Sequence, residues 1–364
     1  MSTHDNSHST ELTSTSPQLP FHEYVETDDV SSDVGDLSYE EECSIYTTSL
    51  SSSVFAYKFE HDRRYHAYRD EKYYLPNDDE EKGRLDLFHH ILTLGCNNKL
   101  HLAPISANVE EILDLGTGTG IWAIDMGDIY PSAKILGNGL SPIQPTLVAP
   151  NVRFEVDDVE NDWVYRSEFD YIHARYFAEA IKDWPNLLRQ AFKYEIRIFF
   201  GYPSACLYGH WCGDRFTKPG GWVEFQDFEM QFYTTNGEFK TGCPLEKWCT
   251  ESIEGLRSVG LEPSPGPKLQ QWFKDVGFTN VQQKVVPVPV GVWPKGKRLK
   301  TVGALNYHQF NGGLDGMSLR IFTAMKGWQP EELREFLADV REDLRSPRLQ
   351  AQHNFNVVYG QKPE

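Results

Sequence analysis

The sequence predicts an α/β protein with a mostly parallel β-sheet and helices on both of its faces. From residue 109 onward, short apolar runs alternate with segments whose apolar residues recur at helical spacing. That alternation is typical of consecutive βα units. The first of these runs is followed directly by a glycine-rich loop that opens a helix. Both observations favour a Rossmann-like fold, in which ligands bind at the carboxyl ends of the strands.

The expected elements follow one another along the chain. Strands are predicted at 112–115, 133–137, 152–156, 169–173 and 222–228, with further strands in the β-branched run 281–290 and at 355–359. Helices are predicted at 79–94, 121–129, 244–259, 268–276 and 330–344. The last of them opens with Pro330 and two glutamates, as the first turn of a helix favours.

Composition divides the chain into a tail, a cap and a domain. Residues 1–53 are rich in Ser, Thr, Asp and Glu and have few apolar anchors, which predicts a disordered tail. Residues 54–108 mix aromatic with charged side chains and contain the first helix, so we expect a helical N-terminal cap. Residues 109–364 form the Rossmann-like domain. The segment 195–216 interrupts this domain without a clear amphipathic period.

Charge and hydropathy exclude several classes of partner. The chain has 53 acidic and 35 basic residues, a net charge of −18, which repels phosphate backbones and disfavours direct nucleic-acid binding. No apolar run approaches the roughly 18 residues of a membrane span, and no secretory signal is visible, so a cytoplasmic location is expected. The cysteines lack the close pairs of a zinc site, and His89 and His90 point to different faces of a helix, so no metal is predicted.

The glycine loop predicts a bound cofactor. Residues 114–120 read DLGTGTG, between a strand and a helix whose free backbone N–H groups can face a ligand. The third small residue of a dinucleotide fingerprint would fall at Ile121, which argues against NAD. No Gly-Lys-Ser/Thr follows, which excludes a Walker loop.

Polar residues at the ends of three successive strands complete the predicted cofactor site. Asp157 and Asp158 follow the third strand, where they can accept a hydrogen bond from an adenine amino group. A ribose-binding acid is expected after the second strand, but Asn138 and Gly139 stand there, and the Asn138 amide could accept one hydrogen bond. The candidate cofactor residues are Asp114, Gly116, Thr117, Gly118, Gly120, Asn138, Asp157 and Asp158.

A family resemblance rests on several motifs in order. These are YYLPND at 73–78, GTGTGIWAID at 116–125, LSPIQP at 140–145, WP at 184–185, PGGWVE at 219–224 and VVYGQK at 357–362. Together they resemble the LaeA-like fungal methyltransferases. The resemblance implies a class I fold with a seven-stranded sheet, S-adenosylmethionine as cofactor, and a role in fungal secondary metabolism. It also implies that Asp114 helps to orient the amino-acid end of the cofactor.

The sequence departs from the family pattern at two places. Gly139 occupies the position before LSPIQP where the family usually has Asp, which predicts weaker cofactor binding. The segment 195–216 is the second departure, because joining Tyr194 to Thr217 would restore the family pattern. We hypothesise that this segment is a translated intron or a lineage-specific loop.

Methyl transfer is an in-line displacement, so few side chains are mandatory beyond those that position the reactants. His173, two residues before Arg175, is a candidate base at the end of the fourth strand, with packing or cofactor contact as the alternative. Tyr307 and His308 are candidates to line the acceptor pocket, or else ordinary core or surface residues. The tyrosines at 65, 68, 73 and 74 could cover the sulfonium or simply pack.

Three functions are compatible with these features. The first is methylation of a small or peptide-derived secondary metabolite at oxygen or nitrogen. The second is a LaeA-like regulator that works in a complex with velvet-type proteins, in which case a nuclear location is expected. The third is a degenerate fold that no longer binds cofactor, which Gly139 would favour.

Overall fold

The computed structural model describes residues 58–66, 72–165, 167–193, 216–234, 242–346 and 348–364. The predicted tail at 1–53, Tyr68 and nearly all of the segment 195–216 therefore lie outside the described residues. None of the described helices is long and apolar enough to cross a membrane.

The strands and helices occur in the predicted order. The strands are β1 (Lys58–Glu60), β2 (Arg63–Tyr65), β3 (Glu111–Leu115), β4 (Lys134–Gly139), β5 (Val152–Val156), β6 (Phe169–Arg175), β7 (Thr217–Thr234), β8 (Thr279–Pro289) and β9 (Ala351–Gln361). The helices are α1 (Asp79–Gly95), α2 (Ile121–Ile129), α3 (Trp184–Phe192), α4 (Pro244–Ser258), α5 (Gly266–Val276), α6 (Lys297–Arg320) and α7 (Pro330–Arg345). A π-helical turn, Ile321–Met325, extends α6.

The sheet confirms the predicted class I arrangement. Its seven strands follow the order β5-β4-β3-β6-β7-β9-β8. The strands from β5 to β7 are parallel to one another, and β9 is antiparallel to both of its neighbours. The carboxyl ends of β3 to β6 therefore meet at one edge, where Asp114 on β3 pairs with His173 on β6 and Gly137 on β4. An open α/β sheet binds ligands at this edge.

Alternate residues of the central strand contact helices on opposite faces of the sheet. Ile112 belongs to a buried cluster with Trp122 of α2, whereas Leu113 belongs to one with Leu187 and Leu188 of α3. Successive side chains of a strand point to opposite faces, so burial on both faces holds the central strand between two helical layers. The predicted helices on both faces are thus confirmed.

The N-terminal motif YYLPND positions α1 over the carboxyl edge of the sheet. Asp78 is the N-cap of α1, because its side chain accepts a hydrogen bond from the Glu81 backbone N–H at 3.0 Å. The same carboxylate accepts from Arg63 of β2 at 2.6 Å, and Leu75 is buried in the core. These contacts fasten the β1–β2 hairpin and the motif to one helix end.

The two ends of the interrupting segment meet at the amino edge of the sheet. The Lys362 ammonium donates to the carbonyls of Lys193 at 2.9 Å and Thr217 at 2.7 Å. The structure places Phe216, the last residue of the predicted segment, in the core, where its carbonyl accepts from Phe169 N–H at 2.7 Å. The segment leaves and rejoins the fold at one place, which agrees with its interpretation as an insertion.

Deleting residues 195–216, which joins Tyr194 to Thr217, is expected to preserve cooperative unfolding. Lys193 and Thr217 already lie together, because both accept from the Lys362 ammonium. Loop length contributes weakly to stability. In the deletion variant Tyr194 would occupy the position before Thr217, which Phe216 occupies in the full chain. Thermal unfolding of the deletion variant and the full chain measures this. The control, Phe216→Ala in the full chain, removes the aromatic side chain and should cost about 3–5 kcal/mol. A deletion variant less stable than this control would contradict the interpretation.

Candidate active site

A cleft with about 1250 Å³ of empty space opens at the carboxyl edge of β3 to β6. The loops that follow these strands form its floor, and α1 with the segment 72–77 forms its roof. Its walls include Tyr73, Asp114, Gly116, Thr117, Gly118, Gly139, Asp157, Asp158, His173 and Arg175. Most of the predicted cofactor residues therefore come together in one place.

The glycine loop follows a path that glycine alone allows easily. Gly116, Gly118 and Gly120 have φ values of 58°, 55° and 83°. A Cβ on Gly116 would lie 2.5 Å from the Phe177 ring, and a Cβ on Gly120 would lie 2.5 Å from the Phe154 ring. At Gly118 the nearest side-chain atom would be 3.9 Å away. The outer glycines are thus packed against the protein, and the central one leaves space toward the cleft.

Asp114 fixes the start of this loop to the neighbouring strand. One carboxylate oxygen accepts the Thr117 hydroxyl at 2.6 Å, and the other lies 2.7 Å from His173 Nδ1. Because a carboxylate oxygen accepts, we assign the imidazole proton to Nδ1. Asp114 is almost fully buried, so its oxygens serve the protein's own framework.

His173 lies fully buried beneath the cleft. Its ring stacks on Trp122 with a centroid separation of 3.7 Å, and its Nε2 has no hydrogen-bond partner. Burial lowers the pKa of His173 to about 4, so the imidazole is neutral near pH 7. A neutral ring that stacks on Trp122 and donates a hydrogen bond to Asp114 is suited to shaping the floor of the cleft. Its role as a base stays a prediction.

Asn138 supports the glycine loop from below. Its side-chain oxygen accepts from Gly116 N–H at 3.0 Å, its carbonyl accepts from Thr117 N–H at 2.6 Å, and its amide donates to the Tyr165 hydroxyl. The side chain is fully buried and does not line the cleft. Gly139 lines the cleft instead, and a Cβ there would have only Thr117 N within 4 Å, at 3.9 Å. The expected ribose contact from Asn138 is therefore not in place.

The two predicted adenine-side acids have different surroundings. Asp158 is buried, and its oxygen lies 3.0 Å from the ammonium of Lys72, which also contacts Glu160 at 3.2 Å. These two carboxylates raise the pKa of Lys72 even though burial opposes the shift. Asp157 is half-buried and lines the cleft. Asp158 thus joins the floor to the roof, and Asp157 faces the space between them.

The LSPIQP motif joins the glycine loop to the N-terminal cap. Gln144 donates to the Gly118 carbonyl at 2.7 Å. The Ser141 hydroxyl lies 2.5 Å from His66 Nδ1 and accepts from the Asn77 amide at 3.0 Å. The sequence analysis used LSPIQP and YYLPND as family markers, and it gave a possible role only to the tyrosines of YYLPND. Their polar residues, which a strand or helix interior does not require, were the available signal.

Arg175 was named from the sequence only as a neighbour of His173. Its guanidinium lines the cleft and donates to His89 Nδ1 at 3.2 Å, while His89 Nε2 donates to Asp125 at 2.9 Å. Its Nε is buried without a hydrogen-bond partner, and within the described ranges no ion pair to a carboxylate forms. Burial lowers the pKa of Arg175 accordingly.

Of the remaining candidate residues, Tyr65, Tyr307 and His308 do not line the cleft. Tyr307 is buried in the core, and neither it nor His308 lines the cleft, although both lie on α6. The Arg320 guanidinium carbon lies over the Tyr65 ring, 3.6 Å from the ring centroid. Of the proposed cover tyrosines that the structure describes, Tyr65, Tyr73 and Tyr74, only Tyr73 lines the cleft.

Comparison with known proteins identifies the family. A methyltransferase-domain family model matches residues 61–196. Over 317 residues the chain is 40% identical to methyltransferase pytC of Aspergillus terreus, covering 87% of this chain and 91% of that protein. The chain belongs to the LaeA-like family of fungal methyltransferases.

Two further relatives lie at lower identity. The LaeA-like chain is 27% identical to "Probable methyltransferase tdiE" of Emericella nidulans, over 78% of this chain and 83% of that protein. It is 28% identical to secondary metabolism regulator laeA of Monascus pilosus, over 84% and 77%. The LaeA-like methyltransferase uses S-adenosylmethionine as its cofactor. Its cleft fits such a molecule, because Gly118, with open space beside its backbone, and Arg175, without an ion pair to a carboxylate among the described residues, line the same cleft.

Replacing Gly139 by Asp is expected to tighten binding of S-adenosylmethionine about tenfold, since charge-assisted hydrogen bonds to ribose hydroxyls become available in open space. Titration calorimetry on the full chain measures the change. Gly139→Ala adds a Cβ without a hydrogen-bond acceptor and should leave the affinity unchanged. Equal affinities for the Asp and Ala variants would remove the basis of this expectation.

Proposed function

We propose that this LaeA-like methyltransferase methylates a small or peptide-derived secondary metabolite at oxygen or nitrogen. The observation that carries the proposal is the cleft at the carboxyl edge, which has the glycine loop on its floor and the cap on its roof. The 40% identity to a methyltransferase over most of both chains supports it. When bound, the cofactor supplies a methyl group on a positively charged sulfur.

The floor of the cleft would hold the nucleoside part of the cofactor. Asp157 lines the cleft beyond β5, and its oxygens accept from the Asp158 N–H at 2.8 Å and the Tyr165 hydroxyl at 3.4 Å. Because each carboxylate oxygen can accept more than one hydrogen bond, Asp157 can also accept from an adenine amino group. The backbone of Gly118 borders open space, so it can approach a ligand closely. In this assignment Asp114, Asn138 and Asp158 act indirectly, because each holds the loop or the cap in position.

Arg175 would hold the carboxylate of the cofactor's amino-acid end. Arg175 is half-buried, with its Nε buried and without a hydrogen bond. A guanidinium in this position without an ion pair is unfavourable, and neutral His89 does not balance its charge. The energetic cost is removed when a ligand supplies an anion. Arg175 lines the same cleft as the glycine loop, and the cofactor carries one carboxylate.

Substituting Arg175→Met is expected to weaken S-adenosylhomocysteine binding by about 30-fold or more, since the ligand carboxylate loses its charged partner. Affinity for 5′-methylthioadenosine, which lacks the amino-acid end, should change less than about twofold. Calorimetry with both ligands measures the split. Thermal unfolding without ligand should show no loss of stability, because an unpaired buried charge is removed. Equal losses of affinity for both ligands would show that Arg175 has a structural role and does not bind the ligand carboxylate.

Transfer itself is tested with methyl-labelled S-adenosylmethionine and an extract of a source strain that lacks this protein. We expect the label to appear in a small product heavier than its precursor by one methylene. Gly116→Ala, whose Cβ would strike Phe177, should abolish labelling, whereas Gly83→Ala, with nothing within 4 Å, should not. Absence of a labelled small molecule with the unaltered protein would contradict the proposal.

The likeness to secondary metabolism regulators named laeA favours a second candidate function. In that case the chain would work in a complex with velvet-type proteins in the nucleus. Deleting the gene would then change many transcripts, and label would appear on protein. A tailoring enzyme would instead leave one precursor unmethylated, so the two candidates give different outcomes in the labelling experiment.

A further inference from the structure

A second cavity adjoins the cleft, and its empty space of about 430 Å³ includes solvent at its open mouth. Phe88 and Tyr176 line both spaces, which therefore meet at these two side chains. The second cavity lies among α1, α4, α6 and the outer half of β7, and its other walls are mainly aromatic or thioether side chains. These are Phe228, Met230, Phe232, Trp248, Phe310 and Met317.

One of the two shared residues, Tyr176, has an unusual backbone conformation. Tyr176 has φ at 67°, in the left-handed region that a tyrosine rarely adopts. Its N–H donates to the Gln226 carbonyl at 3.0 Å, and its hydroxyl accepts from Arg84 at 3.2 Å. Strain of this kind is retained where the surrounding contacts fix it, and it is concentrated at functional sites. These contacts hold Tyr176 where it lines both spaces.

One carboxyl oxygen in the second cavity, on Glu179, lacks a hydrogen-bond partner. Glu179 is 6% exposed, and its Oε2 is buried without a hydrogen bond. Arg84 lies near enough to influence it electrostatically, but that guanidinium is already paired with Glu81 at 2.6 and 2.8 Å. A buried acceptor of this kind is costly unless a ligand satisfies it.

No lysine or arginine lines the second cavity among the residues that the structure describes. His353 does line it, but burial lowers the pKa of His353 to about 4, so the ring is neutral at physiological pH. Two carboxyl groups, of Glu179 and Glu229, line this otherwise mainly aromatic space. Such a space suits a cation, because both the ring faces and the carboxylates attract positive charge. An anionic ligand would meet no positive charge in these walls.

We propose that the second cavity is the acceptor pocket and that it takes an apolar aromatic amine whose nitrogen is held by the Glu179 carboxylate. This inference rests on the proposed function and narrows it from oxygen or nitrogen to nitrogen. The aromatic walls bind the apolar body of the acceptor. The amine then lies where the two spaces meet at Phe88 and Tyr176, so that its nitrogen can contact a methyl group held in the cofactor cleft.

Glu179 also provides the proton acceptor that an amine requires. An ammonium ion gives one proton to Oε2, which leaves a neutral amine and a neutral carboxylic acid. The nitrogen lone pair then forms a bond to the methyl carbon, and the carbon–sulfur bond breaks with its electron pair on sulfur. The products are an N-methylammonium ion and a neutral thioether, so charge and atoms balance. A low-dielectric pocket favours the first step, because two ions become two neutral groups.

The surroundings give the pocket a definite pH dependence. Burial raises the pKa of Glu179 to about 8, and the nearby acids add to this effect while Arg84 opposes it. Below pH 8 the carboxyl group without ligand is protonated, so affinity for an amine should rise as pH increases toward 8. The other titratable groups near Glu179 or in the cavity wall are Glu81, Arg84, Tyr176, Asp227, Glu229, Cys249 and His353.

The test uses the full chain saturated with S-adenosylhomocysteine and two pairs of probes. The amines are tryptamine and phenethylamine, and the controls are tryptophol and 2-phenylethanol, which replace the amine by a hydroxyl group. We expect each amine to bind at least tenfold more tightly than its alcohol at pH 8.5, with the preference shrinking at pH 6. Calorimetry or saturation-transfer NMR measures these affinities.

Glu179→Gln keeps the shape of the side chain and removes its charge, so it should abolish the amine preference while S-adenosylhomocysteine still binds. Glu229→Gln removes a carboxylate from the same cavity's lining and should retain the preference. The inference is overturned if the alcohols bind as well as the amines, if the preference survives in Glu179→Gln, or if no amine binds. Failure of S-adenosylhomocysteine to bind the unaltered chain would instead contradict the proposed function.

Discussion

The buried Asp114 carboxylate is the contact on which the cofactor side of the molecule depends. It receives the Thr117 hydroxyl from the glycine loop and the His173 imidazole from the adjacent strand. Asn138 of the strand on the other side holds the next two backbone N–H groups of the same loop. Three neighbouring strands therefore determine where the loop lies. The cap is then fastened to this base through the hydrogen bonds of Ser141 and Gln144.

Local signals were enough to predict the fold. Apolar runs bounded by glycine and proline place strands, and a glycine-rich loop between a strand and a helix can adopt few conformations. The predicted strand at 222–228 was shorter than β7, which runs over Thr217–Thr234. The Lys-Pro-Gly-Gly run at 218–221 resembles a turn and so obscured the beginning of the strand. The structure includes this run in β7, where the Gly220 N–H donates to the Lys362 carbonyl at 3.0 Å.

The site was predicted less completely, because orientation depends on tertiary contacts. Asn138 and Gly139 follow one another in a strand and so point to opposite faces, and the amide was chosen because it carries acceptor atoms. The structure turns that amide to the loop and the glycine to the cleft. On α6 the sequence analysis named Tyr307 and His308, whereas Phe310 of the same helix lines the second cavity. That helix is buried on several sides, so periodicity could not fix its rotation.

Lys362 gives the protein a place where its length can change. The two carbonyls that it joins lie at the amino edge of the sheet, and the cleft opens at the carboxyl edge. A change in chain length between Lys193 and Thr217 therefore affects the fold at the amino edge of the sheet, and the sheet separates this edge from the cofactor cleft. Evolution can add or remove sequence at such a position without re-selecting the cofactor site. For the experimenter, the same position is a natural attachment point for a fluorescent reporter or an affinity handle.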